Sequence, residues 1–304
     1  MKKLMLFVPA LALLRPEAAP CQTSSPAAKP PGSAERPRSF AVQVVGQGKP
    51  MLLLPGLTCS GEVWNTTVGH FKDHYQCHVF TLAGFAGQPP IAAPMMATIR
   101  KELVSYIRER KLERPVIVGH SLGAFLAFWL AATDPDLAGP LVGVDGGTFL
   151  PAMFDPKATL ESAKPPAEAT LQMMAGETGD QFAAQNKMML ASMITDPKNV
   201  ELIAPACAKS DPKAVAQAMY ELMTTDLRDE VSRIRTPVLL IGSGGLIIPP
   251  ETKETIMSRY EAQVARIPNH KVVLAEKARH FIMFDDPNFL FSTMDDFLKS
   301  SPSK

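Results

Sequence analysis

Short apolar runs separated by helical stretches constrain this chain more than any other feature. Met51-Leu52-Leu53-Leu54, Val116-Ile117-Val118, Leu141-Val142-Gly143-Val144 and Val238-Leu239-Leu240-Ile241 present no polar side chain on either face. A strand wetted on one side alternates apolar with polar residues, whereas a strand apolar on both sides must be covered on both. Residues 40–45, 77–82 and 272–274 read as further strands, and Ile99, Leu103, Tyr106 and Ile107 fall on one helical face between two of the runs. The alternation implies an α/β fold, a mostly parallel sheet covered by helices. Only residues 151–233 break it. They contain no convincing strand but many helix formers and methionines, including Met173, Met174, Met188, Met189, Met193, Met219 and Met223. This predicts a helical cap inserted into a core formed by residues 40–150 and 234–300. Its thioethers would fill an irregular helical core, and some would line a pocket over the carboxyl ends of the strands.

Residues 119–123, Gly-His-Ser-Leu-Gly, lie where the strand 116–118 meets an apolar helix. A sharp turn there strains the serine backbone, and glycines on either side let strand and helix approach closely. The Ser121 hydroxyl would then sit at a helix N-terminus, where partial positive charge favours a developing anion. Serine needs a base to become a nucleophile, and the base needs an orienting acid. His280, after the last predicted strand and before the final helix, is the candidate base. His270 reads as a surface-turn residue ahead of that strand, and the His120 side chain is expected to point away from its neighbour Ser121. Pro55-Gly56-Leu57 bends the chain after residues 51–54, so the amides of Leu57 and Leu122 can form an oxyanion hole. Each such donor contributes about 3 kcal/mol where charge develops.

With these residues in view, the chain resembles the α/β-hydrolases over residues 40–300. The resemblance rests on Leu53-Leu54-Pro55-Gly56-Leu57 with Trp64 downstream and on Thr81-Leu82-Ala83-Gly84-Phe85-Ala86-Gly87. It rests also on the serine turn, on Arg235-Thr236-Pro237 with the apolar run that follows, and on the His280 segment. It implies a triad ordered serine, acid, histidine along the chain, which Ser121 and His280 fit. Two departures stand out. Pro55 replaces a histidine common in the family, which leaves the turn intact because the donor is a backbone amide. More seriously, residues 242–249, where the family usually places its acid, contain no carboxylate. Related hydrolases use an acid at the end of the preceding strand, so Asp145 is the preferred candidate, ahead of Glu251 and Asp226. The family also often has an aspartate there merely to bind loop amides. Glu251 reads equally as a first-turn helix carboxylate, Asp226 as an anchor for the exit from the cap, and Asp286-Pro287 as an N-cap with proline at N1.

The amino terminus carries a separate message. Lys2 and Lys3 precede apolar residues 4–14, a stretch long enough for a signal-peptide core and too short for a stable membrane span. Residues 1–20 thus read as a signal peptide and 21–39 as a disordered Pro/Ala/Ser-rich linker. The protein would be exported, periplasmic or secreted, or cytoplasmic should the segment not act as a signal. Cys59 and Cys77 could pair in an oxidising compartment or remain buried thiols. His70, His74 and His78 are spaced four apart, but His78 falls in a strand, which breaks the helical face a metal site would need. A net charge of +1 over 304 residues, without a long basic run, gives no footprint for a nucleic-acid partner. No phosphate loop, dinucleotide fingerprint or metal motif points to a cofactor.

The expected function is that of a serine hydrolase acting on a small molecule, a carboxylesterase cleaving an ester with an apolar part through a Ser121 acyl-enzyme. Amide, thioester and C–C bond hydrolysis share the framework, whereas a dehalogenase would carry aspartate in place of Ser121. The reading from another class is a binding protein on a hydrolase scaffold with impaired catalysis, suggested by the loop without a carboxylate.

Overall fold

A computed structural model describes residues 38–245 and 252–301. Among them, seven strands form one sheet: β1 Phe40–Val45, β2 Lys49–Leu54, β3 Tyr75–Leu82, β4 Val116–His120, β5 Leu141–Val144, β6 Val238–Ser243 and β7 His270–Ala275. Their order is β1-β3-β2-β4-β5-β6-β7. Only β1 runs antiparallel, pairing with β3, and every other neighbour is parallel. Helices α1 Asn65–Phe71, α2 Met95–Glu109 and α3 Leu122–Thr133 connect the first strands. Between β5 and β6 come α4 Leu150–Phe154, α5 Leu160–Ala175, α6 Gly179–Met193, α7 Pro197–Cys207 and α8 Pro212–Thr224. Then follow α9 Lys253–Val264, α10 Ile282–Asp285 and α11 Pro287–Ser300.

The apolar runs have the cause the sequence suggests. In β2, Leu52 and Leu54 face a cluster with Ile99 and Leu103 of α2, Phe125 of α3 and Val264 of α9. Met51 and Leu53 face the other side, with Phe71 of α1 and Leu290 and Met294 of α11. The side chains of Met51, Leu52, Leu53 and Leu54 are all fully buried, so neither face of this part of β2 tolerates a polar residue. The connection from β2 leads outward to β3, and β4 returns on its other side. Their carboxyl ends therefore flank the reversal point where open α/β sheets bind ligands.

The stretch from β5 to β6 contains no strand, and its residues extend both clusters, with Phe182, Val215 and Leu222 in one and Leu190, Ile194 and Ile203 in the other. Of the two alternatives for Cys59 and Cys77, the structure has free thiols. Cys77 lies on β3, where its thiol donates to the Tyr75 carbonyl, whereas Cys59 is a buried thiol whose pKa is pushed well up by the neighbouring Cys207 thiol and by burial. The spaced histidines diverge: His70 stacks on Phe291 at 4.5 Å, and buried His78 bonds the Tyr106 hydroxyl at 2.7 Å. The signal-peptide segment 1–20 and most of the linker lie outside the described residues. No helix among those described is long and apolar enough to cross a membrane.

Candidate active site

The site begins where β4 stops. Ser121 sits between β4 and α3 with φ +53° and ψ −117°, a conformation L-residues rarely adopt. The turn is this tight because two backbones nearly touch. A Cβ on Gly119 would lie 2.2 Å from the Gly123 carbonyl oxygen, and one on Gly123 would lie 2.2 Å from that of Leu54. The Ser121 amide is held by the Val144 carbonyl at 2.9 Å. Leu122 opens α3, so its amide belongs to the first helical turn, whose N–H groups have no intrahelical acceptor.

The neighbouring strand end supplies a carboxylate. Asp145 follows β5 with φ +46° and is buried. Its Oδ2 accepts a hydrogen bond from His280 Nδ1 at 2.6 Å. Its Oδ1 accepts from the Ser243 amide at 2.7 Å and from the Tyr260 hydroxyl. Burial works to raise the Asp145 pKa, but the bonds from His280, Tyr260 and Ser243 outweigh it and hold the carboxyl below its ordinary value. Because the carboxylate can only accept, His280 Nδ1 carries the proton and Nε2 keeps a lone pair. Burial, reinforced by the Asp145 charge, pushes the Tyr260 pKa well up, so this hydroxyl remains a donor.

The Tyr260 ring reaches Asp145 because Gly242 leaves it room. A Cβ at position 242 would lie 2.4 Å from a ring carbon. The region that lacks a carboxylate thus gives Asp145 the Ser243 amide and a passage for a tyrosine. Neither partner was anticipated from the sequence. The available signal was the burial face of α9, on which Ile256, Tyr260, Gln263 and Val264 follow helical spacing.

Ser121, Asp145 and His280 line one cavity of about 590 Å³, together with Gly56 and Leu57 of the turn after β2. The helices between β5 and β6 contribute Met153, Met189, Met193, Met219 and Met223 to its wall. The methionines fall here by helical geometry, since 189 and 193 lie one turn apart on α6, and 219 and 223 one turn apart on α8. The His280 loop is fixed from the same side. Asp285 accepts from the Arg279 amide at 2.8 Å and from both the amide and hydroxyl of Thr195, between α6 and α7.

The remaining candidates are elsewhere. His270 opens β7 instead of standing in a turn before it, half-buried, with Nδ1 2.6 Å from the Ile267 carbonyl. Asp226 pairs with Arg228, whose guanidinium also reaches the Ala158 carbonyl. Asp286 caps α11 by accepting from the Phe289 amide. Glu251 lies outside the described residues. No group of three or more His, Cys, Asp or Glu side chains able to hold a metal forms among those described.

Comparison with known proteins agrees with this architecture. The chain is 27% identical over 248 residues to a pimeloyl-[acyl-carrier protein] methyl ester esterase of Vibrio cholerae, covering 80% of this chain and 88% of the relative. It is 24% identical over 259 residues to the esterase of the same name from Legionella pneumophila, covering 84% and 97%. A thermophilic esterase from Thermogutta terrifontis superposes with a TM-score of 0.70 at 20% identity, covering 86% of this chain and 93% of that one. The profile of the alpha/beta hydrolase family matches residues 51–293. The chain belongs to the alpha/beta hydrolase family.

Proposed function

We propose that this hydrolase is a serine carboxylesterase, cleaving esters with an apolar acyl or alcohol part through an acyl-enzyme at Ser121. The observation that carries the reading is the 2.6 Å hydrogen bond from His280 Nδ1 to Asp145, in the wall of a cavity that Ser121 also lines. His280 Nε2 takes the proton of Ser121 Oγ as the oxygen attacks the ester carbonyl. The amides of Leu57 and Leu122 stabilise the oxyanion, and the imidazolium returns its proton to the departing alcohol. Water, deprotonated by the same imidazole, then releases the carboxylic acid and restores Ser121. We take residues 151–233 as the cap that supplies the apolar wall, and 40–150 with 234–300 as the catalytic core. The names of the sequence relatives support an ester as the scissile bond. The binding-protein reading rests on a missing acid, and the Asp145–His280 bond weighs against it. Export remains part of the proposal, on residues 1–20 alone, and intact-mass analysis of protein recovered from each cell fraction tests it.

The test is turnover of para-nitrophenyl esters of graded chain length alongside labelling by a fluorophosphonate. The wild type should hydrolyse medium chains and be labelled once, and Ser121→Ala should do neither. Labelling or turnover by Ser121→Ala would defeat the assignment.

A further inference from the structure

The residue between Gly119 and the nucleophile is not idle. His120 is 1% exposed at the end of β4, and its Nε2 lies 3.0 Å from the backbone carbonyl oxygen of His280. A carbonyl oxygen only accepts, so Nε2 carries the ring proton and Nδ1 is left as an acceptor. Nδ1 is buried with no hydrogen-bond partner among the described residues. It faces the turn that bears Leu57, because a Cβ on Gly56 would lie 2.9 Å from it. The His120 ring also packs against the His280 ring at 4.6 Å, Phe281 at 4.7 Å and Trp64 at 6.4 Å. A single side chain, covalently next to Ser121, therefore touches the loop of the base and the turn of the oxyanion amide.

We propose that His120 is a positioning residue: by donating from Nε2 to the His280 carbonyl, it fixes the base loop relative to Ser121 and to the Gly56–Leu57 turn. The inference rests on the serine-esterase reading above and adds a member to its machinery. The bond is durable for two reasons. The acceptor is a backbone atom of the base residue itself, so its position does not depend on the His280 rotamer. The donor also stays neutral, because burial and the adjacent His280 lower its pKa to about 3, with Asp145 opposing them. A neutral His120 keeps a fixed tautomer while His280, ring to ring with it, gains and loses the catalytic proton. A cation there would oppose the imidazolium that forms at His280.

Ring packing and hydrogen bonding are separated by comparing His120→Phe, which keeps a ring and removes the donor, with His120→Gln, whose amide can still donate to the carbonyl. In His120→Phe, kcat should fall roughly 10- to 100-fold through misplacement of the base. KM should stay close to wild type, fluorophosphonate labelling should slow in parallel with kcat, and the acid limb of the kcat/KM profile should move. His120→Gln should recover most of the kcat and the wild-type profile, even if its Tm is no higher than that of His120→Phe. A folded His120→Phe with wild-type kcat and an unmoved acid limb overturns the inference. So do equal losses in both variants that merely track Tm. Should His120→Phe fail to fold, nitrogen-15 NMR of histidine-labelled wild type decides. His120 should remain the neutral Nε2–H tautomer from pH 5 to 8, and titration in that range, or an Nδ1–H tautomer, overturns it. Turnover by Ser121→Ala would instead defeat the esterase reading. Turnover lost in Ser121→Ala but kept in His120→Phe defeats only the role given to His120.

Discussion

Replacing Asp145 by asparagine keeps the shape of the side chain and reverses the chemistry of one edge. In the wild type, Oδ1 receives two donors, the Ser243 amide and the Tyr260 hydroxyl, and Oδ2 receives the third from His280. An asparagine has one acceptor oxygen, which must face the two donors. Flipping the amide would set its NH2 against both and forfeit two buried hydrogen bonds, at about 1–3 kcal/mol each. The NH2 group is then directed at His280 Nδ1, which can satisfy it only as an acceptor. His280 is forced into the Nε2–H tautomer, with a proton where the serine proton should go. The same reversal in known Ser-His-Asp triads costs about 10⁴ in kcat, or about 5 kcal/mol of transition-state stabilisation. Asp145→Asn should therefore show kcat down about 10⁴-fold on a para-nitrophenyl ester with a Tm close to wild type. Asp226→Asn should lose the Arg228 pair and some stability while keeping kcat. A folded Asp145→Asn with kcat within tenfold of wild type would refute the reasoning, and the acid would then be sought at Glu251 or Asp226.

Tyr260→Phe removes one of the two donors at Asp145 Oδ1, and kcat should fall roughly tenfold with KM little changed; an unchanged kcat would make the hydroxyl dispensable. Gly242→Ala places a Cβ 2.4 Å from the Tyr260 ring, so the ring must shift. Overpacking of this kind costs about 1–3 kcal/mol, and the variant should lose both Tm and kcat; wild-type values for both would show that the ring can yield. Acid should weaken the fold through its buried histidines. Burial, aided by Arg110, lowers the pKa of His78 from the ordinary 6.5 to about 4, so the unfolded chain binds its proton first. The stability His78 contributes is full above pH 6.5 and declines as pH falls towards 4, by up to roughly 3 kcal/mol. Urea midpoints across that range should show His78→Asn starting lower but losing less, whereas parallel slopes would exclude His78 as the source.

What could be read from the chain followed the reach of each physical rule. Met51 to Leu54 declared a doubly covered strand because burial on both faces leaves no room for a polar residue. Ser121 was legible because a tight strand–helix turn demands glycine at 119 and 123, a demand local in sequence. His280 and Asp145 were proposed as base and acid through chain order and a resemblance, and the structure joins the two side chains by a hydrogen bond across 135 positions. Tyr260 and the Ser243 amide were not legible. Their relevance depends on the packing of α9 against β6 and on the absence of a side chain at Gly242, which no periodicity announces. His270 illustrates the converse: Pro268-Asn269 signalled a bend in the chain correctly, but the strand starts at the very next residue and covers most of the histidine side chain. The helices of residues 151–233 were expected as a class, while their individual limits, set by caps such as Thr159, Thr178 and Asp196, went unread.

Thr58, one residue beyond Leu57, is bound on both its polar sides by the helical stretch between β5 and β6. Asn186 of α6 donates to its hydroxyl at 3.2 Å, and Ser210, between α7 and α8, donates to its carbonyl at 3.1 Å. Ser210 in turn accepts from the Ala86 amide, so the same hydroxyl clasps two loops of the sheet domain. The helices between β5 and β6 are therefore tied to the sheet by more than apolar packing. Transplanting the corresponding segment of a relative would sever these ties and loosen the Gly56–Leu57 turn beside them. A successful graft has to carry Asn186 and Ser210 with it, or be accompanied by a redesigned residue at position 58.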